Sequence, residues 1–164
     1  MSFSIDEPDV AEACAANNSN AESSSCFTLN GKPITFQGGA TQRLSTALRE
    51  KLNSRDVKVG CNAGDCGACT VLVDGEPVCA CLTAVGQVQG KAVDTLAGLK
   101  EDDDVMKSLL RSFLVHGAAQ CGICTPGMLV SALHLLRQTP YPNEQQVMDS
   151  LGVFYVGVPV TEKS

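Results

Sequence analysis

Four cysteines are spaced Cys61-x4-Cys66-x2-Cys69-x11-Cys81, the first three within Val-Gly-Cys-Asn-Ala-Gly-Asp-Cys-Gly-Ala-Cys-Thr. Three thiols on one short loop, with a fourth arriving later, is the ligand spacing of a plant-type [2Fe–2S] cluster. Two sulfide-bridged irons need four thiolates around one point. A loop supplies three of them only if it curls tightly. Gly60, Gly64 and Gly67 permit the curl, because glycine accepts positive φ and lets backbone approach a ligand. The curled backbone aims N–H groups at sulfur, which favours the more negative, reduced state. A structural zinc site more often sets paired C-x2-C units at tetrahedral corners, and a three-cysteine glycine loop fits that poorly. The fourth ligand is a choice between Cys79 and Cys81, which flank Ala80 on an expected strand and so share a face. Cys81 is preferred, and Cys79 is read as a small buried apolar residue.

A second pair stands in Gln120-Cys121-Gly-Ile-Cys124-Thr-Pro-Gly and leads into a helix start, where anionic ligands are favoured. By itself a C-x2-C pair is half a zinc site, a redox dithiol or half a cluster site. Beside a plant-type loop it favours a second cluster. The remaining candidates carry blander roles. His116 and His134 each stand alone in a helical pattern and suit surface or hydrogen-bonding positions. Asp102, Asp103 and Asp104 suit a solvated helix start, and Asp65 keeps the cysteine loop hydrated. Met106, Met128 and Met148 read as core filler. Cys14 is expected as an exposed thiol, and Cys26 is given no role. No Ser/His/Asp or Cys/His constellation for nucleophilic catalysis stands out.

Alternating apolar residues and turn signals define the elements that must hold these thiols. Phe27 to Phe36 reads as a hairpin about Asn30-Gly31, and Val71 to Val78 as another about Asp74-Gly75. Between them Leu44, Leu48 and Leu52 recur at helical spacing in Thr41–Leu52, with Thr41 as the expected cap. Val93 to Leu96 suggests a last short strand. Beyond it come three helices: Asp103–His116, with Val105, Leu109, Leu110, Phe113 and Leu114 on one face; Pro126–Gln138, with Leu129, Val130, Leu133 and Leu136; and Glu144–Leu151. The fold class is α+β, a small sheet packed on one helix followed by an all-helical unit. The expected division is a disordered polar tail at 1–25, a sheet domain at 26–98, an incomplete helical domain at 99–152 and an aberrant tail at 153–164.

The 164 residues suffice for one domain or two small ones. Apolar residues make up 44% and aromatics only 4%, so the core must rest on Val, Leu and Ala. A net charge of −6 argues against nucleic acid or an anionic membrane as partner. No apolar stretch approaches a membrane span, and the acidic N-terminus lacks a secretory apolar region. A cysteine-rich chain without a secretion signal points to metal ligation in the cytoplasm rather than to disulfides.

Val59-Gly-Cys61, Cys66-Gly-Ala-Cys69-Thr-Val, Ala80-Cys81-Leu82 and Gln120-Cys121-Gly-Ile-Cys124-Thr-Pro-Gly together resemble the iron–sulfur subunit or domain of the molybdenum hydroxylases. That family includes xanthine dehydrogenase, aldehyde oxidoreductase and aerobic carbon monoxide dehydrogenase. The resemblance spans about residues 26 to 151. It implies a ferredoxin-like β-grasp domain and a four-helix domain, each holding one [2Fe–2S] cluster. It further implies an oxidoreductase component that is not catalytic alone. Electrons would pass from a molybdopterin centre in a large partner subunit or domain, with Gln120 and Cys124 nearest the pterin, through both clusters to FAD or another acceptor. A free-standing one-cluster ferredoxin and a zinc-binding interaction module are the alternatives.

One part departs from the family pattern, which closes the second site with Cys-Arg-Cys-Thr-Gly-Tyr. At that distance this chain has Val153-Phe-Tyr-Val-Gly-Val-Pro-Val-Thr-Glu-Lys-Ser164, without cysteine. Cys121 and Cys124 alone cannot hold a [2Fe–2S] cluster. When the tail is written back as codons with free wobble bases and read one frame over, it yields Leu-Cys-Arg-Cys-Thr-Gly-Tyr-Arg-Lys-Ile. Residues 153–164 are therefore expected to be a frameshifted readout of the missing motif. A helical domain lacking that segment and its metal is expected to be looser than the sheet domain.

Overall fold

The computed structural model describes residues 24–152. Most of the tail expected at 1–25, including Cys14, and the segment at 153–164 expected to be frameshifted lie outside the described residues. Ser24 and Ser25, assigned to the tail, instead open the first strand.

Two tight hairpins give the sheet its edges. Strands β1 (Ser24–Leu29) and β2 (Lys32–Gln37) pair antiparallel about Asn30 and Gly31, both at positive φ (51° and 72°). Strands β3 (Thr70–Val73) and β4 (Glu76–Cys79) do the same about Asp74 and Gly75 (51° and 83°). Two positive-φ residues match the right-handed twist of the flanking strands, the reason Asn-Gly and Asp-Gly mark such hairpins. Strand β5 (Ala92–Asp94) joins the hairpins, parallel to β1 and antiparallel to β3, giving the order β2-β1-β5-β3-β4.

The chain between the hairpins crosses one face of this sheet. Helix α1 (Leu44–Thr46) continues as a π-helical turn at Ala47–Lys51. Its N-cap is Arg43, which makes no side-chain capping bond, so the cap expected at Thr41 is not used. The Thr41–Leu52 helix is shortened accordingly. Leu44, Ala47 and Leu48 are fully buried against Phe27, Phe36, Val71, Val73, Val85, Val88 and Val93. This core is almost wholly aliphatic, as the scarcity of aromatics demanded.

The opposite face of β3 carries a second core. Leu72, between Val71 and Val73, points the other way, as strand alternation requires. It is buried with Leu99, Met106, Leu129, Val130 and Leu133. Those residues come from helices α2 (Leu96–Asp102), α3 (Asp104–Val115) and α4 (Thr125–Gln138). Helix α2 was not foreseen: Leu96, read as strand, begins it. A division at residue 98 runs through this helix.

Asp103 is half-buried, more than a solvated helix start. Its carboxylate accepts from the Met106 N–H (2.8 Å), capping α3, and from Arg137 of α4 (2.7 Å). His134 meets the Gly75 carbonyl through Nδ1 (3.1 Å), tying α4 to the β3–β4 turn. Helix α5 (Glu144–Leu151) is capped by Asn143 yet buries no residue. Met106 is core, but Met148 is exposed, as are Val105 and Leu114 of the face expected on α3.

Because Leu72 is the strand's contribution to the helical core, Leu72→Ala should cost about 2–5 kcal/mol. Amide exchange should show the loss concentrated in α3 and α4, with β1 and β2 nearly unchanged. Equal loss in both regions would mean that the two cores melt as one.

Candidate metal centre

The β3–β4 hairpin brings distant cysteines together. Its register pairs Thr70 with Cys79, and one further ladder bond runs from the Ala80 N–H to the Cys69 carbonyl (3.2 Å). Cys69 and Cys81 therefore meet just beyond the strand ends, where the Cys81 N–H donates to Cys69 Sγ (3.4 Å). Both are buried, at 3% and 1% exposure. Strand β4 ends at Cys79, and Cys81 lies in a turn closed by the Leu82 N–H on the Cys79 carbonyl (2.9 Å). The picture of Cys79, Ala80 and Cys81 along one strand is corrected on this point.

The loop from Gly60 to Ala68 wraps a second pair. The Cys61 N–H donates to Cys66 Sγ (3.3 Å), and the Ala63 and Cys66 N–H groups donate to Cys61 Sγ (3.3 and 3.4 Å). Cys61 is exposed and Cys66 half-buried. Gly60 is needed for close approach, since a Cβ there would stand 2.9 Å from Cys66 Sγ. Gly64 is needed for its φ of +85°; a Cβ there would also displace the exposed Leu82 side chain. Gly67 also has positive φ, at 65°. Asp65 is exposed on the loop, as a solvated side chain would be.

Arg43 was missed in the sequence. One guanidinium nitrogen, Nη1, donates to the Asn62 carbonyl (2.7 Å), to Asn62 Oδ1 (3.2 Å) and to the Cys81 carbonyl (2.9 Å). It thus joins the outer arm of the loop to the turn that carries Cys81. No local signal marks this role, because its partners lie 19 and 38 residues away.

Among the described residues no three His, Cys, Asp or Glu side chains gather closely enough to hold one metal ion. The thiols stand instead as two pairs, which is how two bridged irons are served. Four thiols and four N–H groups directed at sulfur fit a [2Fe–2S] cluster by donor chemistry. Their acidities in the iron-free chain differ. The N–H groups of Ala63 and Cys66 lower the Cys61 thiol to about 7. Burial pushes Cys69 up to about 12 and raises Cys79 as well.

The second pair is sparser. Cys124 stands at the N-cap position of α4 without a side-chain capping bond, Pro126 follows in the first turn, and Gly122 turns the loop at φ +80°. Cys121 and Gln120 are exposed, and Cys124 is half-buried. Two thiols do not fit a [2Fe–2S] cluster, and among the described residues no other cysteine stands near them in the helical unit. His116 is exposed at the end of α3. Cys26 lies inside β1, and its N–H donates to Gln89 Oε1 (2.8 Å).

Residues 27–97 match a 2Fe-2S iron-sulfur cluster binding domain, and residues 95–153 match a [2Fe-2S] binding domain. The fold and loop therefore define a two-domain protein of the iron–sulfur class. The chain is 42% identical to the nicotinate dehydrogenase small FeS subunit of Eubacterium barkeri, over 74% of this chain and 76% of that one. It is 38% identical to the nicotine 6-hydroxylase small subunit of Paenarthrobacter nicotinovorans, over 75% and 73%. In structure it is similar to quinoline 2-oxidoreductase from Pseudomonas putida 86, with TM-score 0.75, 35% identity and 85% of each chain covered. It also matches 15% of the aldehyde oxidoreductase of Desulfovibrio gigas, with TM-score 0.72, 36% identity and 80% of this chain covered. The chain belongs to the iron–sulfur subunit family of the molybdenum hydroxylases. Among the described residues no helix is long and apolar enough to cross a membrane.

Two outcomes check this geometry. In the iron-free chain, alkylation of Cys61 by iodoacetamide should rise as pH passes through about 7, while Cys69 stays protonated and unreactive. Peptide mass spectrometry across a pH series reads both. Arg43→Ala should weaken the cage by about 1–2 kcal/mol, as for lost hydrogen bonds from a charged donor. It should speed loss of iron to a chelator several-fold, with Arg43→Lys intermediate.

Proposed function

We propose that the chain is the electron-conducting component of a molybdenum hydroxylase. Cys61 and Cys66 would hold one iron of a [2Fe–2S] cluster, and Cys69 and Cys81 the other. When bound, such a cluster accepts and releases single electrons. The chain's own part is to fix the four thiolates, to place the Cys61, Ala63, Cys66 and Cys81 N–H groups against sulfur, and to keep the inner pair dry. N–H groups at sulfur favour the extra negative charge of the reduced state. Gly60, Gly64 and Gly67 let the backbone come that close. The observation that carries this reading is the cage itself: two thiol pairs joined by backbone bonds and stapled by Arg43.

Membership of the family supports a choice of partners. A molybdopterin-bearing subunit or domain would supply electrons, and an FAD-bearing unit or another carrier would accept them. The exposed Gln120–Cys124 loop is the side of the helical unit offered to the pterin-bearing partner. The site is completed, in this reading, by the two cysteines encoded one frame over in residues 153–164. The nucleotide sequence of codons 150 to 164 tests that directly: codons that forbid Cys-Arg-Cys in the shifted frame end the idea.

Anaerobic reconstitution of the chain with iron and sulfide tests the first site. Two irons per chain, a reddish-brown colour and an EPR signal on reduction are expected, and Cys69→Ser should abolish most of the signal. A gene restored to the shifted frame should bind four irons and co-purify with a molybdenum-containing chain. A colourless protein without an EPR signal would contradict the proposal.

A further inference from the structure

A fifth thiol, that of Cys79, stands beside the cluster loop. Cys79 is set by the register opposite Thr70, the residue that follows Cys69. Its Sγ lies 3.8 Å from the carbonyl oxygen of Gly64, at the middle of the loop. Cys79 is half-buried, so it is neither sealed in the apolar core nor free in solvent. It packs against the sheet's apolar core, as expected of a small apolar residue, and in addition reaches the Gly64 carbonyl of the loop.

We propose that Cys79 is a reserve ligand of the first cluster, able to complete it in place of Cys81. This rests on reading the thiol cage as a [2Fe–2S] site. Cys81 holds the position in the native chain because its turn is prealigned. Its N–H is bonded to Cys69 Sγ, and Arg43 holds its carbonyl. Cys79 touches the same loop through the Gly64 carbonyl, but it lacks those two restraints. When Cys81 is removed, the Cys79 S–H bond breaks and its proton passes to solvent. Its sulfur then forms the iron–sulfur bond that Cys81 no longer makes. No electron is transferred and no further reactant is needed.

The experiment compares the full chain, Cys81→Ala, Cys79→Ala and the double variant after anaerobic reconstitution. Iron content, visible absorption and EPR of the reduced form are the readouts. Cys79→Ala should match the unaltered chain. Cys81→Ala should keep most of the iron and thiolate-type absorption, with a shifted EPR spectrum, while the double variant loses the cluster. If Cys81→Ala loses it as completely as the double variant, the reserve role is overturned. Cys81→Ser is carried in parallel, with far-UV circular dichroism, in case the alanine variant fails to fold. Its absorption should stay thiolate-like, and a blue shift from oxygen ligation would overturn the proposal. A failure of the unaltered chain to bind any cluster would instead overturn the underlying site assignment, so the two failures are distinct.

Discussion

The structure depends on the register of one hairpin. Asp74 and Gly75 force a two-residue turn, and that turn pairs Thr70 with Cys79 and lets the Ala80 N–H reach the Cys69 carbonyl. Cys69 and Cys81, twelve residues apart in sequence, become neighbours for that reason alone. A slip of one residue would invert every side chain on the strand. It would send Leu72 into the wrong core and separate the inner thiols. Site and packing are therefore fixed by the same bonds, and the outer pair is added by a loop whose glycines allow amides to close on sulfur.

The same strand explains how two small units become one molecule. Val71 and Val73 serve the core under α1, while Leu72 serves the core under α2, α3 and α4. Asp103 with Arg137, and His134 with Gly75, add polar ties at the edges of the second core. The helical unit is thus built against the sheet although its Cys121–Cys124 loop offers only two thiols. Its outer surface is left uncovered among the described residues. Helix α5 buries nothing, and Leu114, Val115 and Ile123 are exposed around the Cys121–Cys124 loop.

Much of this was legible from residue types. Both hairpins were signalled by Asn-Gly and Asp-Gly, whose positive φ angles the backbone adopts. The helices after residue 102 followed from apolar spacing and from Pro126 near the start of α4. The cysteine loop was legible because its chemistry demands both the thiol spacing and the glycines. What escaped notice depends on tertiary contact. Arg43 looks like any surface arginine until Asn62 and Cys81 close on it. Helix α2 is short, and its first residue suits a strand equally well. Ala80 and Cys81 leave the strand because a turn closes on the Cys79 carbonyl, which alternation cannot show. Met148 and Leu114 have core-like residue types on faces that nothing in the described residues covers.

The central claim is that two thiol pairs, one outer and one inner, hold two adjacent irons. Anomalous diffraction at the iron edge, from crystals of the anaerobically reconstituted chain, tests it most directly. The account predicts two iron peaks, one beside Cys61 and Cys66 and the other beside Cys69 and Cys81. A single peak, or iron found only at Cys121 and Cys124, would contradict it.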